Sequence, residues 1–329
     1  MITVLKPGLQ ASVQDLGRPG LRHLGVGLSG AMDRLALAVG NCIVGNPPDV
    51  AGLELTGPPA RIRFESACAI ALTGADCAAH LDQAPLGRGR RIAVRAGQTL
   101  DLAEARAGIH AYVCISGGID VPPVLGSRST DLQAGLGGLE GRPLRPGDAL
   151  KMLSPSAHSC ATAAAPTMAG AQSDPDRGAV AAVAVLLPEM KGVIRVMRGP
   201  EFDEFDVAAR DAFMQSLWTV TPQSNRMGYR LLGAALLRRT ARQLNSHAVF
   251  PGVIQVPDGG APIVLMADAQ ATGGYPKIAT VIAADLWRLA QVRPGSTIGF
   301  ELVTRAQAHL AWQKQQQYLM RLQEGLNAH

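Results

Sequence analysis

The chain has 329 residues, a length that suits two domains of roughly 150 residues each better than one core. Hydrophobic residues make up 47% and charged residues 17%, a balance that is typical of a folded protein and excludes a disordered one. Aromatic residues reach only 4%, too few for the stacking surfaces of single-stranded nucleic-acid binding. The net charge of +5 comes from dispersed Lys and Arg, so we expect no nucleic-acid partner.

The expected cellular location of the protein rests on features that its sequence lacks. No segment approaches the roughly 18 apolar residues of a membrane span, and the amino terminus lacks the charged-then-apolar build of a signal peptide. The five cysteines contain no C-x-x-C pair, and the seven histidines never fall at H-x-H or H-E-x-x-H spacing. We therefore expect a cytoplasmic protein without a membrane partner, disulfides or a metal.

Short apolar runs separated by Gly, Pro and Asp fill the first half and predict many strands. A helical pattern over residues 31–44 is the exception, and Ser29 could cap this helix with Asp33 in its first turn. Alternatively, the glycines before the helix could hold an anion, because free N–H groups and the helix dipole point there.

The second half begins after a stretch rich in Ala, Ser and Pro that has no periodicity and predicts a linker. Strands resume at residues 180–187 and 193–197, and helices are predicted at residues 205–217, 285–291 and 304–326. Many short strands with few helices favour a closed or sandwiched β architecture. We divide the chain into a β-domain of residues 1–153, the linker of residues 154–178, a β-domain of residues 179–303 and a terminal helix of residues 304–329.

The two halves share a weak internal repeat. Each has an apolar strand that ends in Ser/Thr-Gly-Gly, and each follows it with Arg-Pro-Gly and a further strand. The matching pieces are Ser116-Gly117-Gly118 with Thr272-Gly273-Gly274, and Arg145-Pro146-Gly147 with Arg293-Pro294-Gly295. The repeat favours two copies of one β unit, each with a Gly-rich loop that a ligand can approach closely.

Candidate site residues concentrate on Gly-rich loops, although a plain β-turn between core strands explains the same pattern. Arg226 could clamp a carboxylate or phosphate, and Asp268 and Lys277 could transfer protons if burial shifts their pKa values toward neutrality. The alternative for Arg226 and Asp268 is a buried structural pair. We predict these three as catalytic. The predicted substrate-binding residues are Asn225, Tyr229, Gln255, Gln270, Thr272, Gly273, Gly274, Tyr275, Ser29, Asp33, Ser116, Gly117 and Gly118.

Several motifs together resemble one protein family. They are Gln14-Asp15-x-Gly17-Arg18-x-Gly20, Ser29-Gly30-Ala31-Met32-Asp33, Val44-Gly45-Asn46, Ser224-Asn225-Arg226-Met227-Gly228-Tyr229-Arg230, Gly252-Val-Ile-Gln255-Val-Pro257 and Thr272-Gly-Gly-Tyr-Pro276. With them the sequence is similar to the family of the 5-oxoprolinase C subunit, also called allophanate hydrolase subunit 2 or the biotin-dependent carboxyltransferase family. The resemblance covers residues 1–303 and departs at Ala271, where the family usually has a second Thr.

The resemblance implies a mainly β (α+β) protein with two tandem cyclophilin-like β-barrel domains, followed here by the C-terminal helix. It also implies a partner protein, the B-type 5-oxoprolinase subunit, which is similar to a kinase inhibitor. A third protein, of the A type, completes an ATP-dependent 5-oxoprolinase that opens 5-oxoproline to glutamate, with ATP bound by the complex and not necessarily by this chain. Related sequences form half of the carboxyltransferase domain of urea carboxylase, where carboxybiotin is the donor.

Three functions remain open from the resemblance. The first, our leading hypothesis, is a subunit of a cytosolic ATP-dependent 5-oxoprolinase, an amide hydrolase that works only in the complex. The second is a carboxyltransferase component acting on urea or another amide, with the biotin carried by another protein. The third is a non-catalytic antagonist of a kinase inhibitor of the B type, because no P-loop, nucleophile elbow or other complete catalytic motif is visible.

Overall fold

The computed structural model describes residues 1–154, 193–239 and 243–327. The first of these segments forms one 10-stranded sheet in the order β2-β3-β8-β4-β1-β10-β9, with β5 paired to β6, β7 and β8. Its elements are β1 (Ile2–Lys6), β2 (Gln10–Gln14), α1 (Arg34–Ile43), β3 (Gly52–Thr56), β4 (Ala60–Phe64), β5 (Cys68–Leu81), β6 (Ala84–Leu86), β7 (Arg91–Val94), β8 (Thr99–Ile115), β9 (Ile119–Asp120) and β10 (Ala149–Met152).

The first sheet curls around an apolar core because its strands alternate in polarity and its longest strand bends. In β4, Ile62 and Phe64 are buried whereas Arg61 and Arg63 are exposed, the period of two that a half-buried strand requires. Strand β8 has 17 residues and pairs with β4 in its first part, with β3 in its last part and with β5 along most of its length. Bulges in the β5–β8 ladder add to the bend.

The second half forms an 8-stranded sheet in the order β19-β12-β13-β16-β15-β18-β11-β20, beside a small β14–β17 ladder. Its strands are β11 (Ile194–Arg198), β12 (Trp218–Val220), β13 (Gly228–Leu232), β14 (His247–Ala248), β15 (Val253–Gln255), β16 (Ile263–Leu265), β17 (Thr272–Gly273), β18 (Lys277–Val281), β19 (Thr297–Ile298) and β20 (Phe300–Leu302). The helices are α2 (Val207–Gln215), α3 (Leu286–Ala290) and α4 (Arg305–Asn327). Phe205, Phe213 and Trp218 fill the centre of its core.

Helix α1 is almost wholly buried and packs against the terminal helix α4. Asp33 caps α1, because its carboxylate accepts a hydrogen bond from the Ala36 amide at 2.8 Å. The predicted cap at Ser29 is wrong, since Ser29 lies four residues before the cap with φ at 53°. On α4, Tyr318 and Leu322 join the cluster that α1 forms with Trp287, so the terminal helix lies against both halves of the chain.

Side chains of the second half form hydrogen bonds with backbone groups of the first sheet. The Gln291 Oε1 atom accepts hydrogen bonds from the amides of Ile109 and His110 at 3.0 and 3.1 Å. The Arg293 Nε–H donates to the Gly108 carbonyl at 2.7 Å. Because these contacts use side chains of one half and fixed backbone groups of the other, they set the relative placement of the two sheets.

The structure confirms a mainly β protein with two barrel-like sheets and a C-terminal helix. The four predicted helices are present as α1 to α4, with ends shifted by one to three residues. The predicted linker after residue 154 and the predicted strand at residues 180–187 lie outside the described residues, and the domain boundaries stay a prediction. Within the described ranges, no helix combines the length and hydropathy that crossing a membrane requires.

Candidate functional site

A buried ionic network around Arg226 joins the two sheets. The Arg226 Nε–H donates to Asp268 Oδ2 at 2.8 Å, and Nη2 donates to Asp268 Oδ1 at 2.9 Å, a two-point pair. Nη2 also donates to the Gly30 carbonyl at 2.6 Å, and Nη1 donates to Glu54 on β3 of the first sheet. Arg226 is 6% exposed and Glu54 only 1%, so one cation and two carboxylates are held away from water.

The charges of this network depend on one another. Burial alone raises the pKa of Glu54, but Arg226 and the Tyr112 hydrogen bond bring that pKa below its ordinary value. Burial alone lowers the pKa of Arg226, and its two carboxylates overcome this and raise it. Burial raises the pKa of Asp268 even though Arg226 opposes the shift. Removing Arg226 would leave two buried carboxylates without a cation, which is strongly destabilising.

The network continues from Glu54 through Tyr112 to Asp33. The Tyr112 hydroxyl donates to Glu54 Oε2 at 2.7 Å and accepts from the Asp33 amide at 2.7 Å. The Asp33 carboxylate, which caps α1, also accepts from Gln291 Nε2 of the second half at 2.8 Å. Burial raises the pKa of Asp33 to about 6. This carboxylate therefore titrates closer to neutrality than an exposed one.

A second polar cluster lies at the start of β18, around Lys277. Lys277 and Gln255 are directly opposite in the β15–β18 ladder, so their side chains stand next to each other. The Lys277 Nζ donates to the Gly273 carbonyl at 3.1 Å and contacts His247 Nε2. His247, with its side chain 45% exposed, lies 3.6 Å from Glu201 Oε1. The cluster therefore reaches solvent through His247.

The Lys277 cluster has groups that a ligand can use. Burial lowers the pKa of Lys277, although Glu201 partly opposes the shift. The Lys277 Nζ can donate a hydrogen bond to the His247 imidazole nitrogen, so the two side chains form a donor–acceptor pair. The Gln255 Nε2 atom is buried and has no hydrogen-bond partner among the described residues. Buried donors are usually satisfied, so this unpartnered amide is a candidate contact for a ligand acceptor.

The glycines of this loop make the cluster possible. A Cβ atom on Gly273 would overlap the Gln255 amide, and one on Gly274 would lie 3.3 Å from Ser246 Oγ. The β14–β17 ladder pairs Gly273 with His247, which holds the imidazole beside the loop. With a larger residue at position 273 the flexible Gln255 side chain would have to move away from this backbone.

The predicted catalytic residues occupy two different environments. Lys277 lies in the polar cluster with the predicted binding residues Gln255, Gly273 and Gly274. Arg226 and Asp268 form the buried pair, which matches the structural alternative for these two residues. Arg226 already makes four hydrogen bonds within the protein. A catalytic role for Arg226 and Asp268 stays a prediction.

Other predicted binding residues lie in the core or on turns. Tyr229 is buried in the second core and donates its hydroxyl hydrogen to the Ala290 carbonyl at 3.0 Å. Asn225 is exposed, and its side-chain oxygen accepts from the Met227 amide at 2.9 Å within a turn. On the exposed surface of the loop before Lys277 lie Gln270, Thr272 and Tyr275.

The Ser-Gly-Gly turn of the first half has a packing role in the structure. Ser116 is buried at the end of β8, and the Gly117 amide donates to Asn46 Oδ1 at 2.8 Å. Gly118 has φ at 88°, and a Cβ there would overlap Val50. This turn binds the segment between α1 and β3, and a substrate-binding role for it stays a prediction.

Sequence patterns did not identify Glu54, Glu201 and His247. None of them lies in a recognisable motif, and each reaches its cluster through long-range strand pairing or loop packing. The β14–β17 ladder that places His247 has only two residues in each strand, too short for alternation to be visible. In the described part of the chain, no group of three or more His, Cys, Asp or Glu side chains is arranged to hold a metal ion.

Comparisons with known proteins agree with the resemblance noted in the sequence. Residues 24–302 match the family described as carboxyltransferase domain, subdomain A and B. The chain is 44% identical to the C subunit of 5-oxoprolinase from Escherichia coli K12 over 98% of this chain and 97% of that protein. It is 40% identical to the C subunit of 5-oxoprolinase from Haemophilus influenzae over 97% of this chain and 96% of that protein.

A solved structure is similar to this chain over nearly its full length. The crystal structure of Kluyveromyces lactis urea carboxylase matches with a TM-score of 0.87 and 30% sequence identity. The match covers 99% of this chain and 29% of the urea carboxylase chain. This chain therefore corresponds to less than a third of that larger protein.

Proposed function

The chain belongs to the family of the carboxyltransferase domain, subdomain A and B, and we propose that it is the C-type subunit of a 5-oxoprolinase. The observation that carries this proposal is the 44% identity to the Escherichia coli protein over nearly the full length of both chains. Identity to urea carboxylase is lower, at 30%, and involves only 29% of that protein. The 5-oxoprolinase name therefore fits this chain better than the name of the larger enzyme.

The proposed reaction is the ATP-dependent opening of 5-oxoproline to glutamate in the cytosol, carried out with partners of the A and B types. A lactam is a poor electrophile, so its amide oxygen must be activated before water attacks, and phosphorylation by ATP supplies that activation. We assign ATP to the complex and to no residue of this chain. The related proteins are named as one lettered subunit of an enzyme, which supports a multi-protein assembly.

The Lys277 cluster is the part of this chain that we place against the substrate. The unpartnered Gln255 Nε2 would donate to an oxygen of 5-oxoproline, either the ring carbonyl or the carboxylate. When the ring C–N bond breaks, the leaving nitrogen must gain a proton, and the Lys277–His247 pair can deliver it. Gly273 lets the substrate approach the backbone and fixes Nζ of Lys277 through its carbonyl.

The experiment that tests this function is reconstitution. This chain is combined with its A-type and B-type partners, 5-oxoproline and ATP, and glutamate release is measured. We expect release to require all three proteins and ATP. Release that is unchanged when this chain is omitted, or no release from the complete mixture, would overturn the proposal.

A second candidate is a carboxyltransferase component, favoured by the family description and by the structural match to urea carboxylase. Because this chain corresponds to 29% of that protein, biotin would have to be carried by another protein. The same purified assembly distinguishes the two functions. A streptavidin-reactive partner together with bicarbonate-dependent carboxylation of urea would favour the second candidate over the first.

A further inference from the structure

A cavity of about 560 Å³ lies where α1, α3 and α4 meet, a size that is ordinary for small-molecule sites. Its walls come from both sheets' flanking segments and from the terminal helix, and they are mainly apolar. The apolar wall is formed by Met266, Leu286, Trp287, Trp312, Leu319 and Met320. None of the residues of the Lys277 cluster lines this cavity, so it is a separate site.

Among the polar side chains that line this apolar cavity, Ser29 and Arg34 lie near the start of α1 and have no hydrogen-bond partners in the part of the chain that the structure describes; the amides of Gln315, Gln316 and Gln323 line it from α4. Ser29 is 1% exposed, and its hydroxyl is unpartnered. Arg34, the first residue of α1, is exposed at the cavity, and its guanidinium makes no hydrogen bond or ion pair within the same ranges. Asp15 acts on Arg34 electrostatically, but its carboxylate already accepts hydrogen bonds from Ser127 and Ser129. Buried polar groups are nearly always satisfied, so the unpartnered Ser29 hydroxyl at the cavity wall is a candidate contact for a ligand atom.

The surrounding backbone fixes Ser29 at the cavity. Its φ of 53° is left-handed, a conformation that is uncommon for serine. The Ala31 amide donates to the Asp15 carbonyl at 2.9 Å, and a Cβ on Gly17 would lie 2.8 Å from the Ser29 carbonyl oxygen. The loop that carries Gly17 and the loop that carries Ser29 therefore pack tightly against each other. Non-glycine residues held in this conformation by their surroundings cluster at ligand sites.

We propose that this cavity binds an amphiphilic monocarboxylate, with its apolar body against α3 and α4 and its carboxylate accepting hydrogen bonds from Arg34 and Ser29. The guanidinium matches a carboxylate in charge and geometry, and the hydroxyl can donate to the same anion. A neutral apolar ligand would leave the cation without a directly bonded counter-charge. The proposal uses no step of the 5-oxoproline reaction, whose small polar substrate has no apolar body to fill this wall.

The test is a titration of the purified full chain with hexanoate, octanoate and decanoate below their micelle concentrations. Fluorescence of Trp287 and Trp312, which line the cavity, reports occupancy, and calorimetry supplies the dissociation constant. We expect affinity to rise about fourfold with each added methylene, because each one buries apolar surface. We expect octanoate to bind about tenfold more tightly than 1-octanol, because only octanoate offers the anion.

Two substitutions assign the polar end of the site. Arg34→Gln removes the cation and should weaken octanoate about tenfold. Ser29→Gly removes the hydroxyl while accepting the positive φ, and it should weaken octanoate about fivefold. Neither should change the binding of 1-octanol. Arg210→Gln is the matched control, because Arg210 pairs with Asp203 on the second sheet's side and does not line the cavity.

Three results would overturn the proposal: no binding of any carboxylate in the series, equal binding of octanoate and 1-octanol, or octanoate binding that Arg34→Gln leaves unchanged. Circular dichroism establishes that each variant is folded. If Ser29→Gly does not fold, Arg34→Gln decides alone, since Arg34 is exposed and its substitution removes no hydrogen bond of its guanidinium to a described residue.

Discussion

Arg226 and Lys277 are two cations of the second sheet in opposite situations. Arg226 meets two carboxylates and a carbonyl through four hydrogen bonds, and these partners raise its pKa. Lys277 meets one carbonyl and an imidazole, and burial lowers its pKa. A fully compensated charge holds the protein together, whereas a partly compensated one can still exchange a proton or bind a ligand. We therefore expect Arg226 to contribute mainly to stability and Lys277 to be the better candidate for chemistry.

The largest effect is expected at Arg226. Arg226→Ala leaves the Glu54 and Asp268 carboxylates buried without a cation, so the free energy of unfolding should fall by about 3–5 kcal/mol in urea denaturation. Arg210→Ala is the matched control. Its partner Asp203 is 81% exposed, and its loss should cost less than about 1 kcal/mol.

Two outcomes would contradict a structural role for Arg226. A variant as stable as the wild type would show that the network does not hold the sheets. A folded Arg226→Ala variant that loses glutamate release in the reconstituted complex while keeping its stability would favour the catalytic role predicted from sequence. Wild-type glutamate release from the folded variant would show that catalytic prediction to be wrong.

The pH dependence of stability tests the same network at Asp33. Its pKa is about 6 in the fold against about 3.9 when unfolded, so between these values the folded state binds more protons. The contribution of Asp33 to stability is therefore complete below about pH 4 and is lost as the pH rises through 6, by about 3 kcal/mol at most.

Asp33→Asn removes this titration, and asparagine can still cap α1. Urea denaturation of both proteins at pH 4, 5, 6 and 7 gives the difference in unfolding free energy. We expect the wild type to lose stability relative to Asp33→Asn as the pH rises from 4 to 7. A difference that is constant with pH would mean that Asp33 ionises at its ordinary pKa.

The parts of this structure that were predictable from sequence are those with local patterns. The alternation in β4 and the long terminal helix α4 are visible in a few consecutive residues. Gln255, Gly273 and Lys277 were identified together because Gly-rich loops flank them. Glu54 could not be paired with Arg226, because 172 residues separate them and no motif links them. Arg226 finds partners for its hydrogen bonds among the described residues and Gln255 Nε2 does not, and both outcomes depend on three-dimensional packing that sequence patterns do not show.

A substitution of Lys277 tests the opposite case, a cation with a predicted chemical role and a small contribution to stability. Lys277→Met retains the apolar stem and the backbone hydrogen bond to Glu201, so we expect the unfolding free energy to change by less than about 1 kcal/mol. Loss of the proposed proton donor should lower the turnover number for glutamate release about a hundredfold. Lys151→Met, at an exposed lysine of β10, should keep wild-type turnover. A stable variant with full turnover would remove Lys277 from the chemistry.

Gln255 gives the smallest effect and separates a binding role from a packing role. Gln255→Leu removes a buried donor that has no partner among the described residues, so stability should stay the same or increase slightly. If the donor binds 5-oxoproline, KM should rise about tenfold, the effect of one lost hydrogen bond to a charged or activated oxygen. A packing role predicts the reverse, a loss of stability with KM unchanged. Measuring the unfolding free energy and KM of the same Gln255→Leu variant therefore decides whether the Gln255 amide serves packing or binds substrate.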